Sequence, residues 1–528
     1  MNMRLMYKFL ISFLVFCSVA FADNSTTSGN REVSDILFAR QSIAEGKYYV
    51  EVGKYLDALE YFETALEATS NKYIVADALL QKATLFAHYL DKPEEAANIY
   101  EEIFKRFPDL PQGETALYKL ALLYNDFQDE RKALQYFKLY LQYYPMGRFR
   151  FTASFFVERY TKKPLYTPRQ RFSLPPVTIK NAPDIRVRLY KGKAAKLKGN
   201  MILKDTAGRI LYQYNGVLNL SASGQSIMVN YRPINTQTLF IYSNGSYLSI
   251  YKKKSFRKYR GYFKAFVKKG KLYVVNILNI EDYLKSVVTS ESPSGWPLET
   301  LKAQAVAART YALYQKLHRE DWSYDVVDSE GDQAYNGVRN ETDKGIRAVA
   351  ETTGLVLTYR DRPILSFFTA STGWYIDDPR YIFGSGYPYL RSKPDPYSAK
   401  EKMGRWTKKA TLSQIEIYLK KKGVNLGTIY SIQPYKVTPA GRVIKVKIIH
   451  SGGSKVMRTY TTVRRAVGLY DILFKISQQG NNIVFTGGGF GHGIGYSQWG
   501  GKALGEMGKR FDEILKFYYE GAVLKKMW

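Results

Sequence analysis

Cysteine is almost missing from the chain: its 528 residues hold one, Cys17, inside an N-terminal apolar stretch. Arg4 and Lys8 precede an apolar run from Phe9 to Val19, followed by Ala20-Phe21-Ala22 and then polar DNSTTSGN. This is the layout of a secretory signal over residues 1–22, cleaved after Ala22. On that expectation the mature chain lacks cysteine, which removes disulfides, thiolate zinc sites and cysteine nucleophiles together. Lipidation of Cys17 is a minor alternative, because Phe16 is bulky where such signals usually carry a small residue. Histidine is scarce too. His88, His318, His450 and His492 have no metal-ligand spacing, so neither a metal nor a cofactor is expected. The Phe9–Val19 run falls short of the ~20 apolar residues of a membrane span, and no later run reaches that length, so no transmembrane anchor is expected after cleavage. Gly500-Gly-Lys-Ala lacks the ending of a phosphate loop, and Gly495-Tyr-Ser-Gln-Trp-Gly lacks the Gly-x-Ser-x-Gly of a hydrolase elbow.

Acidic residues are outnumbered, 47 against 78 basic ones, for a formal charge of +31. With 45 tyrosines and 28 phenylalanines this is a basic, aromatic-rich globular protein whose partner is acidic. Nucleic acid, anionic lipid and an anionic cell-wall polymer all satisfy the charge. The export signal favours the wall polymer, argues against nucleic acid, and places the protein in the periplasm or cell envelope. A chain of this length should hold several domains.

Residues 31–145 repeat. Ala58, Ala96 and Ala133 recur at spacings of 38 and 37, each followed four residues later by an aromatic: Phe62, Tyr100 and Phe137. Each set opens the second helix of a pair, the alanine allowing close approach and the ring filling the neighbouring groove. The pattern resembles tetratricopeptide repeats, slightly longer than their usual ~34 residues, and implies an all-α solenoid whose concave face takes a protein partner. Residues 146–183 are basic and punctuated by Pro164, Pro168, Pro175, Pro176 and Pro183, which reads as a linker.

From residue 184 to 278 the period changes to short alternating runs such as Leu239-Phe-Ile-Tyr and Leu272-Tyr-Val-Val-Asn-Ile-Leu, broken by Gly208, Gly224, Gly245 and Gly270, so this part is β-rich. Within it, Lys252–Lys271 interleaves ten basic residues with Phe256, Tyr259, Tyr262, Phe263 and Phe266. That mixture suits a polyanion, and equally a solvated face on a half-buried hairpin.

The segment Ile280–Leu317 places Glu291 at the end of an apolar run, before a Pro293/Gly295/Pro297 turn from which a helix starts. Ala303, Ala305, Ala307, Ala308 and Ala312 on that helix let another backbone approach, while Lys302 and Arg309 share a second stripe. A carboxyl partly desolvated beside aromatics such as Trp296 is held uncharged, as the general acid of glycosidic cleavage must be; a lone glutamate is more often a surface charge. About two hundred residues on, GGGFGHGIGYSQWGG (Gly487–Gly501) has eight glycines in fifteen residues. Glycines at this density mark backbone lying close to a ligand, or a strand-to-helix turn crowded for steric reasons.

In order and at length, YRGYFKAFVKKGKLYVVNILNIEDYLKSVVTSESPSGWPLETLKAQAVAARTYAL, DQAYNG and GGGFGHGIGYSQWGGKALGEMGKRFDEILKFYYEGAVL resemble the SpoIID/LytB family of bacterial cell-wall proteins. The resemblance implies a mixed α+β domain over 184–528, with a β-rich part at 184–278 and a catalytic core at 279–528. Some relatives are lytic transglycosylases of peptidoglycan glycan strands; others enhance amidases. Carried over, Glu291 would protonate the oxygen leaving C1 of N-acetylmuramic acid, then accept the C6 hydroxyl proton as a 1,6-anhydro ring closes. Arg309, Gly491, His492, Gly493, Ser497 and Gln498 would line the glycan groove. Certain relatives bind zinc through Cys and His residues where this chain reads DSEGDQAYNG, so no zinc is expected. Gly373 is followed by Trp374 where the family usually has a second glycine, a change that would re-aim one wall of the groove.

Overall fold

The computed structural model describes residues 27–161, 177–234, 236–245, 247–319, 322–329, 331–383 and 386–528. The signal expected over residues 1–22 lies outside them.

Helices α1 (Thr27–Glu51), α2 (Tyr55–Ala68), α3 (Lys72–His88), α4 (Pro93–Arg106), α5 (Pro111–Asp126) and α6 (Glu130–Tyr143) stack as hairpins. The recurring pairs sit on the second helix of each hairpin, and Ala58, Phe62, Ala96, Ala133 and Phe137 are fully buried, Tyr100 nearly so. Deleting a ring from such a close-packed seam costs about 3–5 kcal/mol. Side chains of Asn71 and Asp129 cap α3 and α6 by accepting from Tyr73 N and Lys132 N, and Pro93 and Pro111 open α4 and α5 where no backbone donor is needed.

The expected linker at 146–183 begins too early. Helix α7 (Arg150–Thr161) continues the array. Its Ala153 and Tyr160 are buried, and Phe156 stacks on Phe137 with ring centroids 4.6 Å apart. Phe149, Ala153, Phe156 and Tyr160 keep the 3–4 residue period of an apolar stripe; the prolines that signal a linker start only at Pro164.

The β-rich part forms one sheet in the order β11-β1-β10-β9-β6-β2-β3-β4-β5, with β7 and β8 attached at β2. Its strands are β1 (Asp184–Gly192), β2 (Ala194–Lys204), β3 (Ile210–Ser223), β4 (Ser226–Val229), β5 (Arg232–Ile234), β6 (Thr238–Ser243), β7 (Leu248–Lys252), β8 (Ser255–Tyr259), β9 (Tyr262–Lys268), β10 (Lys271–Asn279) and β11 (Val326–Val327). Pairing is antiparallel except between β1 and β11. Strand β10 runs directly into α8 (Ile280–Glu291), whose start is capped by Asn279 accepting from Glu281 N at 2.9 Å. The sheet thereby fixes where α8 begins; the helix ends at Glu291, two residues before Pro293. Next comes α9 (Leu298–His318), whose Ala303, Ala305, Ala307, Ala308 and Ala312 are all buried, as their size predicts.

Residues 279–528 do not form a single unit. Strands Trp406–Thr411, Phe474–Gln479 and Asn482–Gly487, strands Ile429–Val437, Val443–His450 and Gly453–Arg458, and helix Leu412–Lys421 enclose a separate core around Ile415, Ile432, Val446, Ile448 and Phe485. The repeats dock on this lobe through opposite charges. Glu60 pairs with Arg458 at 2.6 Å, both side chains almost wholly buried, and Lys445 with Glu67 at 2.9 Å; Arg465 bonds Asp57 and Lys455 bonds Asp35. Thr64 and Thr461 share a buried hydroxyl bond of 2.8 Å.

Candidate active site

Glu291 is half-buried at the C-terminal end of α8. Its Oε1 accepts the backbone N–H of Ala334 at 2.6 Å, and its Oε2 lies 3.4 Å from Nε2 of Gln498. That same Nε2 reaches Oε1 of Gln304, again at 3.4 Å, to which the Ser292 hydroxyl also donates at 3.4 Å. The Glu291 carboxyl is therefore oriented by a loop amide on one oxygen and a side-chain amide on the other. Gln304 is completely buried. Trp499, next to Gln498 in sequence, meets the Trp296 ring with centroids 5.1 Å apart, and Lys344 donates to the Trp296 carbonyl.

Three elements far apart in sequence build the arrangement. Helix Gln498–Glu506 begins at Gln498 because Ser497 caps it, its hydroxyl accepting from Gly500 N at 3.2 Å. Thr300 of α9 donates to the Gly501 carbonyl at 3.0 Å, and a Cβ at Gly505 would stand 3.0 Å from Pro297, so the two helices approach at backbone distance. Consecutive loop residues hold Ala334. Gln333 accepts from Tyr283 at 3.0 Å and donates to the Ala308 carbonyl at 3.2 Å. The Asp332 carboxylate accepts from Tyr311 at 2.9 Å and from both terminal nitrogens of Arg319 at 2.9 and 3.0 Å.

Among the expected groove residues, Gln498 joins Glu291, and several others do not face a groove. Arg309 is fully buried. It makes a bidentate pair with Glu281, Nε to Oε1 at 3.0 Å and Nη2 to Oε2 at 2.7 Å, and donates to the Leu355 carbonyl at 3.2 Å. Burial lowers its pKa against the raising effect of Glu281. Such a guanidinium fastens α9 to α8 and has no donor left over for a sugar. Ser497 is also fully buried, spent on its helix cap and on a 2.5 Å hydroxyl bond with Ser398. Gly491 and Gly493 are glycines because of the protein's own atoms. Both have positive φ, +126° and +71°, and a Cβ would collide with the Thr369 hydroxyl at the first and the Arg442 guanidinium at the second. Beneath this loop the buried Arg442 pairs with Asp471 at 3.0 Å.

His492 is half-buried. Its Nδ1 accepts from Ile494 N at 3.1 Å and its ring meets Phe367 edge-on at 5.7 Å. Burial, and secondarily the charge of Arg442, draws its pKa down to about 4, so it is neutral at neutral pH. Trp374 lies against Gly488, where a Cβ would stand 2.5 Å from the indole. The residues that sequence reasoning missed are the Ala334 amide, Gln304 and Glu281. A backbone donor leaves no side-chain signature, although DQAYNG contains it; Gln304 lay in view in KAQAVAAR. Among the described residues no cluster of three or more His, Cys, Asp or Glu could hold a metal, and no helix is long and apolar enough to cross a membrane.

Comparison with known proteins bears on both halves. A family model described as stage II sporulation protein matches residues 268–359, one for a domain of unknown function matches 389–495, and one for the tetratricopeptide repeat matches 77–109 and 115–145. An uncharacterised protein of Brachyspira hyodysenteriae is 34% identical over 252 residues, 47% of this chain and 67% of that protein. Stage II sporulation protein D of Bacillus subtilis is 31% identical over 268 residues, 48% of this chain and 76% of that protein. The amidase enhancer of Bacillus subtilis is 29% identical over 290 residues, 46% of this chain and 40% of that protein.

Proposed function

The chain belongs to the stage II sporulation protein D family, and on that premise we propose that it is an exported peptidoglycan lytic transglycosylase with Glu291 as its acid and base. The observation that carries the proposal is the carboxyl itself, half-buried and held by the Ala334 amide on one oxygen with the Gln498 amide beside the other. In the proposed reaction the Glu291 proton passes to the glycosidic oxygen leaving C1 of N-acetylmuramic acid. The C6 hydroxyl of that sugar then attacks C1 and returns its proton to Glu291, closing a 1,6-anhydro ring. The nucleophile is the substrate's own hydroxyl, so one enzymic carboxyl serves both proton transfers. Gln498 would hold the carboxyl at the angle that proton transfer requires.

The repeats would recruit a protein partner of the wall-remodelling or division machinery. Docking on the lobe uses α2 and one face of α1, and leaves open a cavity of about 310 Å³ between α1, α3 and α5, lined by Arg40, Ile43, Lys47, Tyr73, Asp77 and Gln112. The likeness to an amidase enhancer favours a second reading, a non-catalytic wall-binding protein that stimulates an amidase. One experiment separates the two. The purified chain, wild type and Glu291→Gln, is incubated with intact and with denuded peptidoglycan, and mass spectrometry reads anhydro-sugar ends. The first reading expects such ends from the wild type and a loss of about 10²–10⁴-fold in the variant. Their absence on both substrates, with normal glycan binding, leaves the second reading, under which Glu291→Gln retains full activity in cells.

A further inference from the structure

The turn between α1 and α2 does not merely touch the rest of the molecule; it seats on the loop that presents the Ala334 amide to Glu291. Gly53 has φ +80°, and a Cβ there would stand 2.8 Å from Oδ2 of Asp332. On the other side of the contact, a Cβ at Gly331 would collide with the Val52 carbonyl. A backbone carbonyl thus abuts Gly331 and the Asp332 carboxylate abuts Gly53, and neither glycine leaves room for a side chain. Around them, the Tyr55 ring at the start of α2 covers the Arg319 guanidinium at 4.9 Å and stacks on Tyr89 at 4.7 Å. Tyr89 meets Trp322 edge-on at 5.1 Å, and Arg188 donates to the Glu51 carbonyl at 3.0 Å. Arg319 carries this packing inward, since both its terminal nitrogens hold Asp332, whose carboxylate also accepts Val327 N at 2.8 Å. Ala334 follows two residues later.

We propose that the repeats are a positioning element for the site: the turn at residues 50–55, seated on Gly331 and Asp332, fixes the Ala334 amide and through it the Glu291 carboxyl. The proposal rests on the reading of Glu291 as the acid. It assigns the repeats a part in setting the geometry of the chemistry, beyond recruitment of a partner. A misplacement of about 1 Å in such a site costs up to about 100-fold in rate.

The test uses the full chain with Gly53→Ala and Gly53→Asp, the second pressing a carboxylate on Asp332. The control is Gly208→Asp, which carries the same φ of +80° with nothing near its Cβ and so imposes the backbone strain without the contact. Hydrogen exchange of the peptide over residues 331–336 and release of anhydro ends are measured together. Expected is faster exchange over 331–336 in Gly53→Ala and more so in Gly53→Asp. The turnover number should fall about 10- to 100-fold while KM for glycan holds, and Gly208→Asp should match the wild type in both. Wild-type exchange over 331–336 in the Gly53 variants would overturn the proposal, because the bonds of Gln333 to Tyr283 and Ala308 would then suffice. Faster exchange with undiminished cleavage would overturn it as well. Should Gly53→Asp fail to fold, the milder Gly53→Ala decides. If the wild type itself releases no anhydro ends, it is the reading of Glu291 that falls, and the exchange comparison alone still decides whether the repeats hold the loop.

Discussion

Arg309→Met removes a cation that has no exposure to solvent and leaves its carboxylate partner behind. Glu281 is 15% exposed and retains two other donors, Gly354 N and the Trp528 indole nitrogen, each at 3.1 Å. Breaking one side of a buried pair costs about 3–5 kcal/mol, and the residual donors and partial exposure put this case at the low end, about 3 kcal/mol. With a urea slope of about 2–3 kcal/mol per M, the midpoint of the transition reported by Trp528 should fall by about 1–1.5 M. Tryptophan fluorescence is a fitting probe because that indole donates to Glu281 itself. Glu281→Gln combined with Arg309→Met should recover most of the loss, since no uncompensated charge remains. Glycan affinity in native buffer should not change. An unshifted midpoint together with weakened glycan binding would refute the reasoning and return Arg309 to the groove.

The docking of the repeats gives a second prediction: Arg458→Glu places like charges against Glu60 and Glu67 and should release the array, seen as a larger radius of gyration in small-angle scattering, while the swap with Glu60→Arg restores the compact form. His492 gives a third. Its folded pKa of about 4 lies below the unfolded value of about 6.5, so the unfolded chain binds the proton first as pH falls. Stability should therefore be undiminished by this group above about pH 6.5 and decline from there to about pH 4, and His492→Asn should flatten that part of the profile in urea titrations. Nuclear magnetic resonance should find the ring neutral at pH 5; a charged ring there would refute it.

What was legible in the sequence depended on how local the cause was. The alanine–aromatic pairs announce themselves because residues four apart meet on one helix face, whereas α7 hid behind a run of basic residues and the prolines that follow. Glu291 could be picked out because a helix end beside a turn is a local pattern. Arg309 was misjudged for the opposite reason: it shares a stripe with Lys302, and nothing near it in sequence marks Glu281, 28 residues earlier, as its partner. The glycine run left a nearby ligand and a crowded turn both open, and Gly491 and Gly493 are accounted for by crowding against Thr369 and Arg442, which come from other parts of the chain. The lobe within 389–495 went unseen because it lies between two family blocks, DQAYNG and GGGFGHGIGYSQWGG, that the resemblance joins into one domain.

Partners distant in sequence also occupy much of the interleaved stretch Lys252–Lys271. Tyr259, Phe263 and Phe266 are buried and Tyr262 stacks on Tyr242 at 4.9 Å, so four of the five rings are engaged within the sheet, while Phe256 meets the exposed Tyr251 edge-on at 5.3 Å. Three of the cations are engaged internally: Lys252 with Asp328, Arg257 with Asn336, and Arg260 with Glu341 at 2.7 Å. Five of the six left exposed cluster at the two turns, Lys253 and Lys254 between β7 and β8, and Lys268, Lys269 and Lys271 around the turn from β9 to β10, the sixth being Lys258 within β8. Meanwhile the lobe's Lys445, Lys455, Arg458 and Arg465 are consumed by the acidic side chains of the repeats. The exposed positive charge of this stretch is therefore gathered mainly at two hairpin tips, with the Tyr251–Phe256 pair beside the first. Such tips attract an anionic surface through long-range, salt-screened forces.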